Sequence, residues 1–74
     1  MGKVSGLNAL RVVRAFIRMG WRHTRTHGSH YVLEADGRPT LSIPVHKGKP
    51  MKEGTVRGIL RVAGVSLEEF FRNY

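Results

Sequence analysis

The chain contains no cysteine. Disulfides, thiolate zinc sites and thiol nucleophiles are excluded together, and the composition suits a reducing cytosol. Acidic residues are almost as scarce, with 5 Asp and Glu against 13 Lys and Arg. A carboxylate pair of the glycosidase or aspartic-protease kind therefore has little to draw on. Asp36 falls in a turn, and Glu68 and Glu69 stand at a helix start, where they favour the helix dipole without any chemistry. No apolar run approaches the ~20 residues needed to cross a bilayer, and no signal peptide is recognisable. A cytoplasmic protein with no membrane partner is expected. Repeats, linkers and low-complexity segments are missing too, so the 74 residues are expected to form a single domain, 1–74. A chain this short buries only about 60% of its unfolded surface, and its stability should be modest.

The excess of base gives a formal charge of +8. Nucleic acid is the default partner of so small and so basic a domain, because each neutralised phosphate releases counterions. A solvated charged face, or an acidic protein as partner, is the plainer alternative.

Apolar periodicity predicts a first helix over 7–19, with Leu10, Val13 and Ile17 on one face, Val12 and Phe16 widening it, Ser5 as N-cap and Gly20 as the stop. Extended segments follow at 21–26 and 29–34, broken at His27-Gly28, and the Asp36-Gly37 pair predicts a second reversal. Leu41, Ile43 and Val45 alternate with Ser42, Pro44 and His46, and Pro44 argues for an edge position or a strand end. After a loop at 47–50, Val56, Ile59, Leu60 and Ala63 recur at helical spacing up to Gly64. Ser66 and Glu69 form a capping box before a short helix carrying Leu67, Phe70, Phe71 and Tyr74. The expected fold is α+β, in the order α-β-β-β-α with a short extra C-terminal helix: a three-stranded antiparallel sheet with helices on one face. This is also the plan of a double-stranded RNA-binding domain. Trp21, Phe70 and Phe71 read as core, and Tyr31 is open between core and base stacking.

Arg11, Arg14 and Arg18 share a stripe of the first helix, and Arg57 and Arg61 share one on the second; each is a solvated face or a nucleic-acid contact. Lys47, Lys49 and Lys52 surround Gly48 and Pro50 just before the second long helix, where the positive end of the dipole favours phosphate. With Arg25 they are the candidate RNA-binding residues. This is no Walker-type loop, for the spaced glycines and the Lys-Ser/Thr pair are missing. Of the 4 histidines, His23, His27 and His30 have a spacing that suits metal only on a helix, and they lie across a predicted hairpin with no cysteine to complete a zinc site. Neither a metal nor a small-molecule cofactor is expected. Histidine acting alone can take a proton from a ribose 2′-hydroxyl or give one to a leaving 5′-oxygen, and only RNA offers that hydroxyl. Pattern by itself does not choose among the four.

Gly28-Ser29-His30 in a hairpin that follows a helix and Gly20-Trp21 resembles the signature of the HicA toxins of toxin-antitoxin modules. Ile43-Pro44-Val45-His46, Gly54-Thr55-Val56-Arg57, Ile59-Leu60, Ala63-Gly64 and Leu67 to Phe70 resemble the family's second half in the same order. The resemblance implies an mRNA interferase of double-stranded RNA-binding-domain fold, held inactive by a HicB antitoxin. It also implies that His30 is the catalytic residue, that Gly28 and Ser29 shape its surroundings, and that His46 occupies a recurrent position after the third strand. Many relatives carry a second histidine directly after the catalytic one; Tyr31 stands there in this chain. The alternative function is a binding module that holds RNA without cutting it. A third is a structural subunit whose basic faces meet an acidic protein.

Overall fold

The computed structural model of the chain describes residues 4–74, so the first three positions of the expected domain lie outside the described residues. Six elements follow in the order α1 (Ala9–Arg18), β1 (Arg22–His27), β2 (His30–Glu34), β3 (Leu41–Pro44), α2 (Glu53–Ala63) and α3 (Leu67–Asn73). The strands form one antiparallel sheet in the order β1-β2-β3, an α+β architecture as the sequence predicts.

Helix α1 begins two residues later than its apolar pattern suggests, and its cap is Asn8 rather than Ser5. The Asn8 Oδ1 accepts from the Arg11 N–H at 3.0 Å, which satisfies one of the unpaired donors of the first turn. The buried face is also rotated from the expected one. Ala9, Val12, Val13, Ala15 and Phe16 are buried, whereas Leu10 and Ile17 are 42% and 44% exposed. Two small alanines let the helix approach the core on their side, so the stripe turns towards them. Past the helix, Gly20 takes φ +111°, and the Trp21 N–H returns to the Phe16 carbonyl at 3.0 Å.

Leu33, Leu41 and Ile43, with Tyr31 partly buried beside them, form the sheet's contribution to a core completed by all three helices. At its centre Phe16 meets Trp21 edge-on at 5.5 Å and Phe70 at 5.8 Å. Trp21 and Phe70 are core as expected; Phe71 is half-buried and packs on its margin. Helix α2 ends where Gly64 adopts the left-handed conformation at φ +70°, and α3 starts with Ser66 Oγ accepting from the Glu69 N–H at 3.1 Å. Strand β3 is an edge strand and stops at Pro44, which has no N–H to offer the ladder. His46 consequently belongs to the loop.

One contact was invisible in the sequence. Met51, in a segment whose composition reads as loop, is buried and pairs with Leu7 across an isolated β-bridge, its N–H donating to the Leu7 carbonyl at 2.8 Å. The bridge fastens the lysine loop to the start of α1.

Candidate active site

The β1-β2 hairpin turns on two residues. Gly28 has φ +59°, and among the described residues no non-glycine has positive φ, so Ser29 takes an ordinary negative value. Glycine at the first central position alone is the pattern of a type II′ turn, whose twist matches that of the strands it joins. It makes His27 and His30 register partners, direct neighbours on one face of the sheet. A Cβ built at Gly28 meets nothing within 4 Å, so Gly28→Ala is charged only for the backbone conformation. We expect a loss of about 1–2 kcal/mol in urea denaturation.

Which face that is depends on a bulge. Between His23 and Arg25 the β1-β2 register shifts by one, with His23 opposite Leu33 but Arg25 opposite Val32. Strict alternation would align His23, Arg25 and His27. The extra residue instead turns His23 to the helix side, where it stacks on Tyr31 at 4.6 Å and a hydrogen bond of 2.8 Å joins its Nε2 to Thr26 Oγ1. Arg25, His27, His30 and Glu34 are left together on the side away from the helices. The histidines therefore divide two and one across the sheet, and among the described residues no group of three or more His, Asp or Glu side chains converges on a possible metal.

On that outer face His30 is exposed, with His27 beside it on β1 and Pro44 beside it on β3. Arg25 Nε donates to His27 Nε2 at 3.2 Å, and its Nη1 lies 3.5 Å from Glu34 Oε2. Ser29 contributes through its backbone, its carbonyl accepting from the Val45 N–H at 2.7 Å. That bond ties the histidine turn to the end of β3 and hence to the lysine loop. There Pro44, His46, Lys49, Lys52 and Thr55 line an open hollow of about 340 Å³ floored by Met51. Lys47 lines a neighbouring hollow with Gly6 to Leu10. The N-cap of α2 is Lys52, which supplies no side-chain cap to the first turn of that helix.

Several other cations have structural partners, though among the described residues Arg14 and Arg61 enter no ion pair. Arg11 Nη2 donates to the Tyr74 carbonyl at 2.8 Å with its guanidinium 4.0 Å from the Tyr74 ring, and Arg18 Nη1 donates to the Asn73 carbonyl at 2.7 Å. Two members of the α1 stripe thus hold α3 in place, which helical spacing by itself did not reveal. Arg57 pairs with Glu53 at 2.8 Å, and Arg38 caps α1 by donating to the Met19 carbonyl at 2.7 Å. Lys47, Lys49 and Lys52 enter no ion pair among the described residues.

The sequence singled out His30 but not its neighbour. His27 was legible in principle, since a two-residue Gly-Ser turn pairs the residues on either side of it; placing the break at His27-Gly28 obscured that.

The site is thus an open sheet face bearing two imidazoles beside a basic loop at the foot of a helix. Comparison with known families gives the class: the chain is a toxin of a bacterial toxin-antitoxin system, for which an antitoxin partner is implied. The family is that of the HicA toxins, whose model matches residues 11–65, and the chain belongs to it. No curated protein matches the chain.

Proposed function

We propose that this toxin is an endoribonuclease, an mRNA interferase that cuts without a metal, with His30 as general acid or base. The observation that carries the reading is the placement of His30: an exposed imidazole on the sheet face away from the helices, joined through the Ser29-Val45 bond to an unpaired lysine loop. Lys47, Lys49, Lys52 and Arg25 bind the phosphate backbone, and His46, at the lip of the hollow, orients it. Gly28 and Ser29 set the turn. A HicB-type antitoxin neutralises the protein by covering this basic face.

Attack of a 2′-hydroxyl on the adjacent phosphate leaves a 2′,3′-cyclic phosphate and a 5′-hydroxyl. Cleavage of RNA in EDTA with that product is the expected result, whereas a strict Mg²⁺ requirement would refute the metal-free route. Induction of the chain in a bacterial host should arrest growth. Harmless expression with RNA binding intact would instead identify a module that binds RNA without cutting it.

A further inference from the structure

We propose that His27 is the second proton-transfer group of this site, the base that takes the 2′-hydroxyl proton while His30 serves as the acid; the inference rests on the ribonuclease reading above. In-line displacement puts the attacking 2′-oxygen and the leaving 5′-oxygen on opposite sides of the phosphorus, so one imidazole does not reach both. The sheet offers a second ring in one place. Tyr31, next to His30 in sequence, points to the opposite face and stacks on His23. His27 is the direct cross-strand neighbour of His30, which puts their Cβ atoms about 4.5–5.5 Å apart. A pair so spaced can flank one phosphate.

The hydrogen bonding assigns the roles. Arg25 Nε donates to His27 Nε2 at 3.2 Å, so that nitrogen presents its lone pair to a donor, as a base must. Arg25 is exposed, and its other partner is Glu34 at 3.5 Å, so its guanidinium is free to turn to an RNA phosphate as a bidentate donor. That movement uncovers the His27 lone pair at the moment a phosphate arrives. His27 Nε2 then takes the 2′-hydroxyl proton, the 2′-oxygen bonds to phosphorus, the bond from phosphorus to the 5′-oxygen breaks, and protonated His30 delivers its proton to that oxygen. The turnover leaves His27 protonated and His30 neutral, and exchange with water restores both.

The test compares the parent with His27→Gln, His27→Ala and His30→Ala on ordinary RNA and on RNA with sulfur in place of the scissile 5′-oxygen, a leaving group that needs no proton. Glutamine keeps an acceptor for Arg25 but transfers no proton. Both His27 variants are expected to cut both substrates about 10²-fold or more slowly, with thermal unfolding unchanged, whereas His30→Ala regains most of its rate on the sulfur substrate. His27→Gln cutting ordinary RNA at the parental rate overturns the inference alone, and rescue of the His27 variants by sulfur overturns the assignment of His27 as base. A folded parent that cuts neither substrate removes the ribonuclease reading, and this inference with it.

Discussion

Replacing His30 by alanine is expected to slow RNA cleavage by about 10²- to 10⁴-fold, the usual worth of positioned proton transfer, and to leave the urea midpoint where it was. The two halves of this expectation have separate physical grounds. His30 is exposed and stands outside the buried cluster, so its removal opens no cavity and strands no buried partner. The charge of the surface proposed to gather RNA is left with Lys47, Lys49, Lys52 and Arg25, so binding should persist with much the same salt dependence. Loss of cleavage with binding retained, and relief of growth arrest on induction, are the paired readouts. A His30→Ala protein that cuts RNA as fast as its parent would end the assignment.

The largest effect on stability is expected at Trp21. Its ring is 1% exposed, it packs edge-on against Phe16, and its Nε1 donates to the Pro39 carbonyl at 3.0 Å. The Arg38 guanidinium lies over the ring, 4.1 Å from its centroid, while capping α1. Trp21 thus joins the helix end, the β2-β3 connection and the entrance to β1. Strand β1 has no buried residue of its own, so Trp21 at its entrance anchors it together with the ladder to β2 and the His23-Tyr31 stack. Trp21→Ala should cost about 3–5 kcal/mol, close to the whole stability of many domains of this size. Urea denaturation should find the variant largely unfolded or nearly so at 37 °C, and a loss below about 1 kcal/mol would contradict this packing. Trp21→Phe keeps an aromatic ring against Phe16 but leaves the Pro39 carbonyl without its donor, and should fall between the two.

Both residues were visible in the linear chain for different reasons. Trp21 follows a helix-stopping glycine and opens an extended run, so an aromatic there has a core to enter. His30 was chosen by the company of Gly28 and Ser29, not by any property of its own. Strand β3 and α2 were legible because their apolar residues recur at the period of the element, β2 by its run of β-formers Tyr31 to Leu33, and β1 only by its place between Trp21 and the glycine-marked break. In α1 the same reasoning found the helix but misplaced its face, since Leu10 and Ile17 fit the periodic stripe as well as Ala9 and Ala15 do, and only the packed neighbours distinguish them. Arg11 and Arg18 read as a charged stripe for the same reason: their partners, Tyr74 and Asn73, lie more than fifty positions away.

The order of elements, the basic character and the glycine-marked hairpin followed from local chemistry, because periodicity, charge and backbone freedom are written residue by residue. The composition of the outer sheet face was decided in three dimensions. One bulged position in β1 sends His23 to the helices and keeps Arg25 and His27 with His30, and a bulge is settled by pairing with a partner strand, which no residue of β1 encodes by itself.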